Sequence, residues 1–142
     1  MKWIALLVLL VLCGCASHAT LSTPQVSTQE FTVSPFPNEV FLIVWKGSNN
    51  VNNERLLDLA MLKASQVVQQ HKLEYFVIVD QAASKPGEVK YRATAPSPAG
   101  WNNELLIQAF KDRPHRAFAF LAAATEQSIY EKFRTAPEPE TL

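Results

Sequence analysis

The chain has 142 residues, of which 48% are hydrophobic and 18% charged, a composition typical of one globular domain. Its 13 basic residues balance its 13 acidic ones, so the sequence lacks the charge excess of nucleic-acid-binding proteins. We therefore expect a single small domain and no nucleic-acid partner.

Residues 1–14 are predicted to be a lipoprotein signal peptide. Lys2 supplies a positive charge, and an unbroken apolar run follows from Trp3 to Leu12. This run is too short for a membrane-spanning helix, which needs about 20 residues, and it fits the apolar region of a signal peptide instead.

The apolar run ends in Leu12-Cys13-Gly14-Cys15, which resembles the lipobox of bacterial lipoproteins. The resemblance implies cleavage before Cys15 and attachment of diacylglycerol to its thiol, the group whose thiolate forms the thioether. The alternative is an ordinary secretory signal cleaved near Ala16 or Ala19, in which Cys15 has no role.

Both cysteines of the chain lie in this N-terminal segment. Cleavage removes Cys13 and lipidation uses Cys15, so the domain that follows has no thiol for a disulfide, for catalysis or for a metal. Diacylglycerol and palmitate together would anchor the chain stably, where a single acyl chain is marginal. Residue 16 is Ala rather than Asp, which by resemblance to enterobacterial sorting implies an outer-membrane lipoprotein facing the periplasm.

Residues 15–37 are predicted to form an extended tether. They are rich in Ser, Thr and Pro and follow neither a helical nor a strand period. Phe31, Val33 and Phe36 are candidates to dock the last part of this tether against the domain.

The main core is predicted to come from a strand, a helix and a second strand. Residues 40–45 are β-branched, aliphatic or aromatic without a polar break, as in a strand buried on both faces. A helix is expected from about 53 to 71, capped by Asn52 or Asn53. The second strand covers residues 75–79. The predicted inner face of the helix contains Leu57, Ala60, Met61, Ala64, Val67, Val68 and His71.

Two leucines do not fit this inner face of the helix. Leu59 and Leu62 lie on the opposite side, among the polar residues Asp58, Ser65, Gln66, Gln69 and Gln70, which are predicted to face outward. Single exposed leucines are normal, but two close together indicate a second contact. We expect this surface to meet the tether, the C-terminal tail or another protein.

Residues 47–80 resemble the core of small bacterial envelope lipoproteins of the CC0125-like group. That group has a pattern close to GN-x-x-T-x-x-E-R-x-x-D-x-x-L-L-R-A-A-E-x-T-x-x-x-G-Y-x-Y-F. The matching residues are Gly47, Glu54, Arg55, Asp58, Leu62, Ala64, Tyr75 and Phe76. The departures are Ser48 for Asn, Val51 for Thr, Lys63 for Arg, Gln66 for Glu and Lys72 for Gly. The resemblance covers about a quarter of the chain and implies an envelope lipoprotein without implying a particular activity.

The second half of the chain is predicted to contain more strands and a closing helix. Residues 89–93 alternate apolar and polar side chains, and residues 105–110 form the next strand. Residues 116–120 are candidates for extended structure, and a helix is expected to about residue 134. Residues 136–142 are predicted to be a polar tail.

These elements predict an α+β domain over residues 38–135, after the signal peptide and tether, in the order β-α-β-β-β-α. The sheet should be mainly antiparallel, with two helices on one face. The two strands that flank the long helix should be parallel to each other, with another strand between them.

We find no candidate catalytic residues, metal ligands or cofactor motif in the sequence. The three histidines, His18, His71 and His115, lack the spacing of a metal site. A Ser65–His71–Asp80 constellation is imaginable but carries no G-x-S-x-G motif. Glu54 and Asp58 are interpreted as a solvated helix face.

Lys111, Arg113 and Arg116 form a small basic cluster that is interpreted as a solvated turn. Two classes of function remain open. One is a non-catalytic interaction module of the cell envelope, anchored by lipid and bound to an envelope protein. The other is a periplasmic small-ligand binder or enzyme with an unrecognised site.

Overall fold

The computed structural model of the protein describes residues 28, 30–47, 51–99 and 101–136. These residues form one antiparallel sheet in the order β1-β2-β4-β3-β5, with two helices packed together, so the predicted α+β class is confirmed. The elements are β1 (Phe31–Phe36), β2 (Val40–Trp45), α1 (Asn53–Gln70), β3 (Tyr75–Ile78), β4 (Glu104–Phe110), β5 (Ala119–Leu121) and α2 (Ala122–Thr135).

The two strands that flank the long helix are parallel, as predicted, and β4 lies between them. Both β2 and β3 pair with β4 in an antiparallel sense, which makes β2 and β3 parallel to each other. Helix α1 connects them across one face of the sheet.

Residues 31–36 were predicted to be part of the tether, and this is wrong. They form the edge strand β1, which pairs with all of β2 from Phe31↔Trp45 to Phe36↔Val40. The ring of Phe31 is buried 5.0 Å from the indole of Trp45, measured between ring centroids. Pro35 is tolerated because an edge strand leaves one side of its backbone unpaired. The domain therefore begins before residue 38.

The predicted strand at residues 89–93 is also wrong. Only an isolated bridge, Tyr91 with Val79, forms there, and all of these residues except Tyr91 are exposed. The edge of β3 is instead paired by β5, from Tyr75↔Leu121 to Val77↔Ala119. The observed order is therefore β-β-α-β-β-β-α, and the expected extended structure at 116–120 is found slightly later.

The core lies between the sheet and α1. Alternate residues of β2 and β4 are buried and face α1, and three of them, Phe41, Ile43 and Ile107, are at most 2% exposed. The other face of these two strands carries half-buried residues, and neither helix of the described part of the chain covers it. This face is called the helix-free face below.

Local sequence explains where α1 begins and ends. The side chain of Asn52 accepts a hydrogen bond of 2.8 Å from the backbone N–H of Arg55, which is a standard N-cap. At the other end, the N–H groups of Lys72 and Leu73 donate to the carbonyls of Gln69 and Val68. This pair of bonds is a Schellman motif. It places Lys72 in the left-handed region at φ 59°, where glycine is favoured.

Replacing Lys72 with glycine is expected to raise the free energy of unfolding by about 0.5–1 kcal/mol, because a side chain in the left-handed region is strained. Glycine is also the residue that the CC0125-like pattern has at this position. Urea unfolding at equilibrium measures the change. Lys63→Gly, inside α1, is the matched control and should lower the same free energy by about 1 kcal/mol. Equal losses in the two variants would contradict the strain argument.

Helix α2 packs against α1 and meets the sheet at β5. Its contacts with α1 are partly polar, since Gln69 donates to Glu126 at 2.6 Å and Gln66 donates to Tyr130 at 3.4 Å. They are also apolar, since Ile129 belongs to the same buried cluster as Leu59 and Leu62. Ser65 was predicted to face outward but is fully buried, and its hydroxyl donates to the carbonyl of Met61. The outward prediction is wrong for Ser65 because α2 covers this side of α1.

Candidate binding cleft

Leu59 and Leu62 are 5% and 0% exposed and belong to the chain's own core. They lie on the side of α1 from which Gln66 reaches α2, and from which Arg55 places its guanidinium 4.9 Å from the ring centre of Phe133. The prediction that they form an interaction surface is therefore wrong. The second contact comes from the chain itself, since the leucines are buried without any partner protein.

The residues considered for catalysis do not come together. His71 lies at the end of α1, with its ring 4.7 Å from that of Phe41 and its Nδ1 atom 3.9 Å from the carboxylate of Glu39. Asp80 follows β3, whereas His71 precedes it, so the two lie at opposite ends of that strand. Ser65 is buried beneath α2. His115 is exposed in the turn before β5.

The carboxylates of Glu54 and Asp58 both bind the same ammonium group, that of Lys132. The ammonium of Lys132 donates to Asp58 at 2.6 Å and to Glu54 at 2.9 Å, and so links α2 to α1. These hydrogen bonds raise the pKa of Lys132, with that to Asp58 having the larger effect. The bond from Lys132 lowers the pKa of Glu54. The pair is better explained as a helix–helix contact than as an acid/base site.

The register of the strands defines two ends of the sheet. At the proximal end β1 begins, β2 ends, β3 ends and β4 begins. Lys111 follows β4 directly and lies at the other, distal end, whereas Arg113 and Arg116 lie in the connection that leads to the start of β5 beside Val77. At the distal end Lys111 donates a hydrogen bond to Glu74, which raises the pKa of Lys111, and both side chains are mostly exposed.

A cleft of about 420 Å³ lies at the proximal end of the sheet, across the end of β3 and the start of β4. We call it the rim cleft. Its volume falls in the range of about 300–1,000 Å³ that is usual for small-molecule sites. Its lining includes Asp80, Arg92, Trp101, Asn102 and Glu104. None of these five residues is predicted from the sequence to bind a ligand. Asp80 is considered there only as a member of the Ser65–His71–Asp80 constellation.

The connection between β3 and β4, residues 79–103, forms one wall of the rim cleft. Loops longer than about 15 residues without secondary structure are uncommon and are usually functional or disordered. The described part of this loop is held by hydrogen bonds. Asp80 N–H donates to the carbonyl of Lys90 at 2.8 Å, and Arg92 N–H donates to that of Ile78 at 2.9 Å. These bonds fix Arg92 beside the end of β3.

Asp80 also shapes the turn that leaves β3. Its carboxylate accepts the backbone N–H of Ala83 at 3.2 Å, and its carbonyl accepts both the N–H and the hydroxyl of Ser84. The hydroxyl oxygen of Ser84 in turn accepts the N–H of Lys90 at 3.0 Å. One carboxylate oxygen of Asp80 thus has a backbone partner, and the residue still lines the cleft.

Trp101 combines an accessible ring with a shielded N–H group. The residue is partly buried and packs against the core cluster, yet it also lines the rim cleft. Its indole Nε1–H is hidden from solvent and has no acceptor among the residues that the structure describes. An unpaired buried donor of this kind costs about 1–3 kcal/mol, so it calls for an explanation beyond packing.

The helix-free face is the second surface that stands out. Its central strands present half-buried apolar side chains, and Phe36 on β1 is 50% exposed. Tyr91 folds back over this face: its hydroxyl donates to Gln108 at 2.6 Å, and its ring lies 6.3 Å from that of Phe110. The exposed part is therefore concentrated toward β1 and β2.

One signal in the sequence points toward the rim cleft. The region between the strands at 75–79 and 105–110 contains Pro86, Pro96 and Pro98, which disfavour regular structure. The alternation at residues 89–93 nevertheless favours a strand there, so the sequence predicted neither one long connection nor its position beside the sheet.

Within residues 28, 30–47, 51–99 and 101–136 no cluster of three or more His, Cys, Asp or Glu side chains is arranged to hold a metal ion. No helix in the described part of the chain is long and apolar enough to cross a membrane. Cys15 and His18 lie outside the described residues. Comparison with known proteins found no match among family models, curated proteins or solved structures.

Proposed function

We propose that this protein is a lipid-anchored protein of the bacterial envelope whose domain is a non-catalytic binding module, with the rim cleft as its binding site. The anchor would be diacylglycerol on Cys15, with the domain on the periplasmic side of the outer membrane. The Leu12–Cys15 segment and the resemblance of residues 47–80 to CC0125-like lipoproteins support this proposal.

The observation that carries the proposal is the position of the rim cleft at the proximal end of the sheet. The described chain enters the sheet at this end, where Lys46 N–H donates to the carbonyl of Glu30 at 2.9 Å. From Cys15 to Thr28 the chain can span at most about 45 Å even when fully extended. An anchored domain would thus hold the cleft close to the membrane surface.

Binding fits the rim cleft better than chemistry does. Its charged groups, Asp80, Arg92 and Glu104, can orient a ligand through hydrogen bonds. The described residues of its lining include neither histidine nor cysteine, the side chains most often used as base or nucleophile near neutral pH. We therefore assign no catalytic residue and no cofactor.

The second candidate is binding of an envelope protein through the helix-free face. It is favoured by Phe36 and by the half-buried side chains of Leu42 and Val44. Such an apolar surface is typical of a protein contact when its side chains are contiguous.

Photo-crosslinking in intact cells separates the two candidates. A photoreactive amino acid would be placed at Gln81 in the rim cleft, at Ser34 on the helix-free face, or at Arg113 in the turn between β4 and β5 as the control; Gln81 and Arg113 are exposed and Ser34 is half-buried. We expect adducts from Gln81 that disappear when Glu104→Gln is added, and none above background from Arg113. Adducts from Ser34 alone would favour the helix-free face, and equal background at all three positions would reject both candidates.

A further inference from the structure

We propose, on the basis of the function above, that the rim cleft binds a glycan, with the indole of Trp101 as the platform for one pyranose ring. Asp80, Arg92 and Glu104 would bind the hydroxyl groups of the sugar. The proposal rests on three properties of the cleft: its mixture of polar and apolar lining, its balance of charge, and the placement of Trp101.

The lining of the rim cleft combines apolar and polar residues. The apolar part comes from the strand ends and from the loop, through residues such as Val79, Pro96 and Leu106. The polar part carries carboxylates, a guanidinium and an amide on the same walls. A pyranose ring has the same two-sided chemistry, because its C–H groups form apolar patches and its hydroxyls project around the rim. A purely apolar ligand would leave the cleft's polar groups without partners.

The charges of the rim cleft argue against a strongly anionic ligand. Its lining includes two acidic residues, Asp80 and Glu104, and one basic residue, Arg92. A phosphate or another polyanion would meet an excess of negative charge. Carboxylates only accept hydrogen bonds and guanidinium only donates them. A ligand that pairs with both must therefore carry hydrogen-bond donors as well as acceptors. A hydroxyl is donor and acceptor at once, and a glycan has several.

Trp101 supplies the part of the site that gives a sugar its orientation. An aromatic ring has a large apolar face of low flexibility and a partially negative π surface, which suits the C–H groups of a pyranose. Trp101 is held by the core cluster on one side and lines the rim cleft on another. Its partial burial keeps the ring in place before a ligand arrives, which lowers the entropic cost of binding.

The proposed anchor is consistent with a glycan ligand. A module held by Cys15 on the periplasmic side would be confined to the same compartment as the glycan strands of the cell wall. Attachment to such a polymer needs only modest affinity at each site, because the anchored module and the polymer are both confined.

The test uses the mature, lipidated protein, labelled with ¹⁵N and held in detergent micelles. Once the signal peptide with Trp3 is removed, Trp45 and Trp101 remain as the two sources of indole N–H signals. Chitotetraose is titrated as the probe. We expect a saturable shift of the Trp101 signal, while the signal of Trp45, which is buried against Phe31, stays in place.

Four variants sharpen the result. Because both Trp101 variants lack the Trp101 indole signal, their binding is followed on the backbone N–H signals of Gln81 and Asn102 in the rim cleft. Trp101→Ala should weaken binding about tenfold or more, as truncation of a central aromatic contact usually does. Trp101→Phe should retain part of the affinity, since it keeps an aromatic face and the apolar packing. Glu104→Gln should weaken binding, whereas Asp112→Asn, which removes a carboxylate from the exposed turn after β4, should have no effect.

Two outcomes would overturn the glycan assignment. If tetralysine shifts the Trp101 signal and chitotetraose does not, the rim cleft binds cationic chains, and the proposed binding function survives without the glycan. If neither probe shifts it, or if the shift is the same in Glu104→Gln and Asp112→Asn, the glycan assignment fails, and the Gln81 crosslinking experiment decides separately whether the cleft binds anything.

Discussion

Replacing Leu62 with alanine is expected to lower the free energy of unfolding by about 3 kcal/mol, within the range of about 2–5 kcal/mol for buried leucines. Leu62 is a residue of α1 whose side chain is completely buried, so the truncation leaves a cavity that α1 and α2 cannot easily close. Leu59→Ala should have a similar effect, since Leu59 is 5% exposed. Equilibrium unfolding in urea, on the chain from residue 16 onward, measures both changes.

The matched control for these two leucines is Leu121→Ala. This is the same chemical change at a residue that is 42% exposed, so its effect should be roughly 1 kcal/mol or less. The losses at Leu59 and Leu62 should appear in the purified protein with no partner present. If either variant were as stable as Leu121→Ala, the close packing of α2 on α1 would be refuted.

Replacing Cys15 with alanine is expected to abolish lipidation completely, because the proposed lipid is attached to its thiol. Cells grown with an alkyne analogue of palmitate should label the wild-type chain and leave the variant unlabelled. The chain should also fail to be cleaved before residue 15. The loss of several acyl chains removes stable anchoring, since each buried CH₂ contributes about 0.8 kcal/mol to membrane binding.

Cys13→Ala is the control for the lipidation experiment. Cys13 occupies the tolerant position of the lipobox pattern, so this variant should still be labelled and cleaved before Cys15. The lipobox interpretation is wrong if Cys15→Ala keeps its label. It is also wrong if wild-type chain isolated from membranes carries no mass beyond that of its amino acids.

Hydrophobic pattern was informative wherever one element buries a single face. The run from Val40 to Trp45 and the helical period between Asn53 and Gln70 predicted β2 and α1 to within about one residue. The rules of strand connection predicted that another strand lies between β2 and β3, and the structure shows that this strand is β4. These features are local or follow from local ones, which is why one sequence was enough.

The pattern was misleading where packing comes from a distant part of the chain. Leu59 and Leu62 were visible as apolar residues on a polar face, yet the helix that completes their environment begins at Ala122. Helical phase shows which side chains need cover but not which element provides it. β1 was missed for a related reason, since Pro35 and the neighbouring Ser and Thr residues are as typical of a tether as of an edge strand.

By itself the sequence determined the helix α1 with a cap at Asn52 or Asn53, the strands that flank it, and the α+β class, because each depends on interactions between near neighbours. Only the tertiary structure decided that β1 belongs to the sheet, that α2 buries Ser65, and that Asp80, Arg92, Trp101 and Glu104 line one cleft. Asp80, Arg92 and Trp101 lie in the long connection that follows β3, and Glu104 begins β4. What brings them together is the pairing of strands on both sides of that connection, which depends on contacts between residues far apart in the chain.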